Sequence, residues 1–501
     1  MKTRILASAL VVILWSAFAW AKAEKAGSIN LPQIDYYAVL MDGAKVGYAA
    51  RSRIVSDGQV LTTEFLEIAM RRMAVEVSVR STETCVETMK GEPLSFTSVL
   101  DIGIVEMRTE GTVGKDGVVR ASTNGCEGAR ETTFPWPQGA VMSEGLRLLE
   151  VEKGLKEGTS YSFKMFVPNL LSAIDVNEQV GGKEEVDLFG RAATLTKVVQ
   201  TMRAPGTGET TTISFVDNEF KHLKMHMPVL GMQVDMITCE KEVALGGNEW
   251  FDIGDKMFLA SPEPITDAGG ARAIAYSLKP TKPNGSLIIP AGDNQRVQKL
   301  EDGSMIVVVE PASMPRGGKF PYKGNDKDIV EATKPNRFLQ SDDARVIELA
   351  KRAVGDTRDA GEAARRIEKF VGDYVESKSL SVGYASASEV AASRKGDCSE
   401  FAVLCAAMCR SAGIPARMVF GVAYVEDFMG RSGFGGHAWV EAYVGDKWVG
   451  LDPMFKSSGR GGFDAGHLAM ASGDGEPVDF FNVAATLGRF KIEKIVVDKG
   501  K

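Results

Sequence analysis

The hydrophobic pattern of this chain changes period partway along, and that change limits the fold more than any other feature. From residue 32 to about 245, short runs rich in β-branched and apolar residues are broken by turn residues, which reads as strand after strand. Tyr36–Leu40 and Val46–Ala50 flank Asp42-Gly43, a two-residue hairpin signal. Further strand-like runs are Ala74–Arg80, Ser95–Asp101, Ser160–Val167, Ala193–Val199 and Thr211–Val216. Ser143 is placed to cap a short helix reaching Val151. The β character continues to about residue 312, with strands expected at Ser286–Ile289 and Met305–Glu310. Then Pro311, Pro315, Gly317, Gly318, Pro321, Gly324 and Pro335 crowd together, and the main domain boundary is expected there.

Helical spacing takes over beyond the breakers. Ser341 is positioned to cap a helix over Asp342–Val354, with Val346, Leu349, Ala350 and Ala353 on one face. A second helix is predicted over Ala360–Ser377, with Ala364, Ile367, Val371, Tyr374 and Val375 as its apolar stripe. Residues 456–476 are rich in glycine and serine and read as loop, and Arg489–Val497 as a final strand. The order predicts an α+β protein: a leader over 1–21, a β-rich domain over 22–249, a β-rich segment and linker over 250–325, and a mixed domain over 326–501.

The chain of 501 residues is long enough for about two to four domains. A net charge of −7 argues against a general nucleic-acid binder and against a surface drawn to anionic lipid. Lys2 and Arg4, the apolar run Ile5–Phe18 and Ala19-Trp20-Ala21 have the order of a cleavable signal peptide. The run is short for a membrane span, and no cysteine follows it to carry a lipid. The mature protein is therefore expected in the periplasm or outside the cell, with an uncleaved anchor as the alternative. Six cysteines are too few for a disulfide-built scaffold. A bridge among Cys85, Cys126 and Cys239 is permitted, although three cannot all pair. Cys405 and Cys409 are expected to be small buried hydrophobes. His222 and His226 stand four apart, but KHLKMHMPVL reads as a strand with no further ligand nearby, so a structural or surface role is expected.

The chemistry gathers in the last third. In GDCSEF, Asp397 reads as an N-cap and Glu400 stands three residues on, a capping-box pattern that places Cys398 at the first helical position. Gly413 and Pro415 end that helix. A thiol at a helix N-terminus lies in the positive end of the macrodipole, which favours thiolate, and its N–H is placed to bind an oxyanion. His437 is expected to begin a strand, HAWVEAYV, Gly445-Asp446 is a hairpin turn, and Lys447–Asp452 is the return strand. If Val444 pairs with Lys447, Trp439 faces Asp452 and His437 faces Met454. His437 and Asp452 then share a face as diagonal neighbours, about 7–8 Å apart at the backbone. An imidazole oriented by a carboxylate is what a general base requires. Gly430, Gly433, Gly435 and Gly436 suggest either a mobile gate or a long connection.

Over roughly residues 340–500 the chain resembles the transglutaminase-like superfamily in its exported bacterial branch. The residues carrying the resemblance are Tyr384, Gly396-Asp397-Cys398, Ser399 to Ala402, Ala412 to Arg417, Gly421, His437-Ala438-Trp439 and Leu451-Asp452-Pro453. It implies a papain-like core, with Cys398 as nucleophile, His437 as base, Asp452 as orienter, and Tyr384 as a candidate for the pocket or oxyanion support. No cofactor and no metal are implied. The expected substrate is the amide bond of a protein or peptide, with hydrolysis slightly favoured over transamidation. The competing reading is a non-catalytic envelope protein that keeps the fold to bind a peptide or partner.

Overall fold

The computed structural model describes residues 34–500 except 73–74, 102–105, 126–127, 204–208, 230–231, 252–257, 282–286, 379–384, 429, 458, 460 and 476–486. The chain divides into two compact units after Gly254.

The N-terminal unit is built on one sheet of fifteen strands. Ile34–Met41 lies in the middle, and seven further strands follow in sequence order out to Gly128–Pro135 at one edge. On its other side Ile34–Met41 pairs with Met232–Cys239, and the remaining strands run back to Ala140–Val141 at the opposite edge. The first hairpin turns at Asp42-Gly43 as expected, with φ of 46° and 90°. Two positive φ angles are what the favoured two-residue turn requires.

The helix Ser143–Lys153 begins one residue earlier than a Ser143 cap would have it, because Ser143 is already helical and Met142 holds the cap position. The buried Glu87 carboxylate caps it instead, accepting the Glu144 and Gly145 N–H groups at 2.6 and 2.9 Å. Thr210, Thr212 and Ser214 fill one buried face of their strand, and Glu64, Glu83, Glu150 and Glu178 are buried as well. This interior therefore carries polar side chains among its apolar ones. His222 and His226 lie on one strand but do different work. A register shift beside His222 turns it inward, 3.5 Å from Glu150, while half-exposed His226 bonds Asp235 at 2.5 Å. Cys85 and Cys239 carry free thiols, and Cys126 lies outside the described residues.

The C-terminal unit contains two larger sheets and a group of helices. Phe258–Ala260, Arg431–Val444, Ala416–Phe428 and His467–Gly473 form one sheet in that order, with Lys447–Leu451 also paired to Arg431–Val444. Gln295–Lys299, Met305–Val309, Ala273–Pro280 and Phe490–Asp498 form the other. The units divide after Gly254, whereas the sequence pattern put the main boundary at 311–335. The reason is long-range pairing: Ala273–Pro280 bonds the C-terminal strand Phe490–Asp498. Gln295 also grips both the N–H and the C=O of Ala469, at 2.9 and 3.1 Å. The breakers at 311–335 thus lie inside this unit. Leu287–Ile289 is not a strand, contrary to expectation.

The helix Ala344–Val354 is capped by Asp343, not Ser341, and Ala360–Tyr374 by Asp359. The second helix stops at Tyr374, and Ser377–Lys378 instead forms a short parallel pair with Lys395–Gly396. A further helix, Ala387–Ser393, starts with a capping box of Ser386 and Glu389. Among the described residues no helix is long and apolar enough to cross a membrane.

Candidate active site

The helix Cys398–Ser411 is the centre of the C-terminal unit. Every residue from Cys398 to Arg410 is buried, as its alanine- and valine-rich faces predict. Asp397 accepts the Ser399 N–H at 3.3 Å, and Glu400 reaches back to accept the Asp397 N–H at 3.0 Å. The capping box therefore forms and puts Cys398 at the first helical position. Glu400 also accepts the Ala385 N–H at 3.1 Å, tying the preceding segment to the helix start. Burial, then the nearby Asp397 charge, hold the Glu400 carboxyl well above its usual range. The glycine before the cap is a steric necessity, since a Cβ on Gly396 would lie 2.2 Å from the Glu400 Cβ. At the far end Gly413 takes φ of 80°, and a Cβ there would meet Pro321 at 2.4 Å. Cys398 is buried with the rest, although it keeps 8 % of its surface exposed.

His437 comes from the strand Arg431–Val444, against which the helix Cys398–Ser411 packs. The hairpin register is the expected one, Val444 opposite Lys447 through Val440 opposite Leu451. Pairing then stops. Pro453 has no N–H for a ladder and suits the first position of a helix, so Pro453–Ser457 coils into one. Met454 is therefore on that helix and not across from His437. Asp452 is left at the corner, fully buried, with each oxygen used. Its Oδ1 caps the new helix by accepting the Phe455 N–H at 2.9 Å. Its Oδ2 lies 2.6 Å from His437 Nε2. Its own N–H donates to Glu368 Oε1 at 2.8 Å.

A second histidine meets the same oxygen. His467 Nε2 lies 3.0 Å from Asp452 Oδ2, and His467 Nδ1 lies 3.0 Å from Asp464 Oδ1. His467 is on the strand His467–Gly473, inside the stretch that reads as a glycine-rich loop. Short alternating residues after a glycine run hid the strand. Gly421 permits its close approach: a Cβ there would stand 2.1 Å from the Leu468 carbonyl oxygen. Burial alone would lower the His467 pKa, but Asp464 and then Asp452 outweigh it and raise it to about 9. Burial pushes the Asp452 carboxyl up, yet His437 and His467 together hold it well below the usual carboxylate range. Phe455 stands against both imidazoles, at 4.7 Å from the His437 ring and 4.8 Å from the His467 ring.

His437, Asp452 and His467 also bring three metal-ligating atoms within 4.8 Å of one another. Their N···O separations are hydrogen-bond lengths, and that accounts for the arrangement. Gly433, Gly435 and Gly436 are part of the His437 strand, while Gly430 lies just before it with φ of 80°; Phe258–Ala260 pairs with Gly433–Gly435, and a Cβ on Gly433 would strike the Phe258 ring at 2.4 Å. Gly433 serves close packing, and the strand over Gly433, Gly435 and Gly436 corrects the expectation of a gate or a long connection there. Tyr384 lies outside the described residues.

Residues 347–453 match the family model of the transglutaminase-like superfamily. Three solved structures are similar to parts of the chain. A candidate cysteine protease from Cytophaga hutchinsonii is 20% identical, with 45% of this chain and 88% of that one covered at a TM-score of 0.29. A beta-barrel-like protein of a domain of unknown function from Brucella abortus is 13% identical, with 42% and 96% covered at 0.33. The periplasmic domain of TgpA from Pseudomonas aeruginosa, bound to ethylmercury, is 15% identical, with 40% and 88% covered at 0.27. No curated protein matches the chain in sequence.

Proposed function

We propose that this chain, which carries a transglutaminase-like domain over residues 347–453, is an exported thiol enzyme acting on amide bonds of proteins or peptides. The observation that carries the reading is the 2.6 Å contact between His437 Nε2 and Asp452 Oδ2, made beside a helix that begins at Cys398. With Nε2 held by the carboxylate, Nδ1 is the ring nitrogen left to serve the thiol. His437 takes the Cys398 proton, and the thiolate adds to the amide carbonyl carbon. The developing oxyanion is met by the Cys398 N–H at the positive helix end, with Tyr384 a candidate second donor. The C–N bond breaks as His437 returns the proton to the departing amine, which leaves a thioester on Cys398. Water, activated by His437, then adds to the thioester and releases a carboxylate and the thiol. Asp452 keeps the imidazole in one tautomer throughout.

An amine in place of water would give a crosslink. Hydrolysis is favoured because water is always present and no amine site is evident among the described residues. The basic, then apolar, N-terminal segment and its A-x-A sequence support export, with an envelope protein or peptide as substrate. The test is labelling with a thiol-reactive probe that mimics an amide, at neutral pH. Selective modification of Cys398 that is lost in His437→Ala is expected. Labelling at the rate of an ordinary thiol, equal in both proteins, overturns the enzyme reading in favour of a binding module. Peptides mixed with a labelled amine decide the acceptor: net cleavage is expected, and amine incorporation without cleavage refutes the preference for hydrolysis.

A further inference from the structure

We infer that His467 is a positioning residue for this site: a buried imidazolium that clamps the Asp452 carboxylate from the side opposite His437. The inference rests on the reading of Cys398, His437 and Asp452 as the reacting set. It adds a fourth and fifth member, His467 and Asp464, to a continuous line of hydrogen bonds.

Geometry decides the charge. His467 Nε2 faces Asp452 Oδ2 and His467 Nδ1 faces Asp464 Oδ1, each at 3.0 Å. A carboxylate oxygen can only accept, so both ring nitrogens must donate, and an imidazole that donates twice is a cation. The competing contact, Asp464 N–H toward Nδ1, is longer at 3.2 Å. The elevated His467 pKa agrees. His467 is buried within the unit and makes no use of solvent to carry its charge.

The consequence for His437 follows from position. The two imidazole centroids are 5.6 Å apart and share one carboxylate oxygen. A fixed cation at His467 orients Asp452 and keeps it ionised, yet it also opposes a second positive charge on His437. The charge on His467 is therefore placed to show in the pH profile of the site, and the clamp holds Asp452 in position while His437 moves a proton. The other titratable or charged groups around the pair are Glu368 and its partner Arg365, Cys405 on the nucleophile helix, Tyr276 near Asp464, and Arg417 and Glu441, which share a cavity wall with His467. Glu368 and Glu441 are paired to Arg365 and Arg417. The local balance on Asp452 is thus left to the two histidines.

The test is the pH profile of Cys398 alkylation by iodoacetate, an anion that reacts fastest with a thiolate beside an imidazolium. It is run on the full chain for wild type, His437→Ala, His467→Gln and Asp464→Asn. Wild type is expected to give a bell whose acid limb lies below that of an ordinary thiol, and His437→Ala to abolish it. His467→Gln removes the cation, and Asp464→Asn removes the partner that holds its second proton. Both are expected to move the alkaline limb up by at least about half a pH unit. If wild type behaves as an ordinary thiol and ignores His437→Ala, the enzyme reading fails and the inference with it. If wild type and His437→Ala behave as expected but the alkaline limb stays put in both folded variants, only the role of His467 is overturned. The chain has four histidines, so side-chain nitrogen NMR of the wild-type protein decides the matter even if a variant does not fold. His467 with both ring nitrogens protonated at pH 7.5 is expected, and a neutral ring refutes the inference.

Discussion

Asp452→Ala is expected to destabilise the C-terminal unit strongly. It deletes a fully buried carboxylate that accepts the Phe455 N–H at 2.9 Å, His437 at 2.6 Å and His467 at 3.0 Å. The His467 imidazolium then has one buried face with no counter-charge, and removing one partner of a buried ion pair costs about 3–5 kcal/mol. The Phe455 N–H loses its cap, worth about 1 kcal/mol. These terms share one site and do not simply add, so the expected loss is about 4 kcal/mol. A unit of this size shifts by about 2–4 °C per kcal/mol, which gives a fall of roughly 10 °C or more in its unfolding transition. Scanning calorimetry at pH 7 measures it. The pH dependence has a definite sign. The folded Asp452 pKa is depressed, so its stabilisation is present above about pH 4, where the unfolded carboxyl is ionised, and is lost as the pH falls toward the folded value. The gap between wild type and variant should therefore narrow on acidification below about pH 4. A shift under about 2 °C at pH 7, or a gap that widens in acid, would refute the argument that this carboxylate anchors two imidazoles and a helix.

Other expected outcomes test separate parts of the structure. Burial raises Glu64, Glu87 and Glu178 to about 7 and Glu150 to about 8. Their folded state holds protons that the unfolded chain has shed, so the N-terminal unit should melt lower at pH 8 than at pH 5. Glu150→Gln should flatten that dependence, and an unchanged slope speaks against its burial as an acid. Gly421→Ala places a Cβ 2.1 Å from the Leu468 carbonyl oxygen and should lower the melting temperature or the yield of folded protein sharply. Gly43→Ala has open space around the added Cβ and only a positive φ to strain it, so it should cost about 1 kcal/mol. Similar losses in the two variants, by thermal melting, would undercut the close strand approach. Glu400→Ala leaves the buried Asp397 and Ala385 N–H groups without their acceptor and should cost about 2–4 kcal/mol by urea unfolding.

Local chemistry was readable where a single short-range motif decides it. The Asp397–Glu400 box needs only residues three apart, and it forms as read. The Gly445-Asp446 turn carries two positive φ angles, and it set the register as far as Leu451. The expected pairing fails at Met454 because Pro453, whose missing N–H ends the strand, decides the competition between a ladder and a helix. Caps at Ser143 and Ser341 were displaced by Glu87 from a distant strand and by Asp343 two residues on. The former cannot be seen in a local window. His467 escaped notice for the same reason: its role depends on pairing with Ala416–Phe428, far from it in sequence, and its own strand is short and made of small residues. The buried threonines, serines and glutamates of the N-terminal sheet also defeat the usual rule, since a strand with polar residues on its inner face shows no apolar alternation.

The central claim is that Cys398 forms a thioester, and trapping that adduct tests it most directly. The protein is mixed with amide-bearing peptides, quenched in acid and digested, and each of its six cysteines is examined by tandem mass spectrometry. An acyl group on Cys398 alone, released by neutral hydroxylamine and absent in His437→Ala, is the predicted result. An adduct spread over several cysteines, or one on Cys398 that forms equally well without His437, would contradict it.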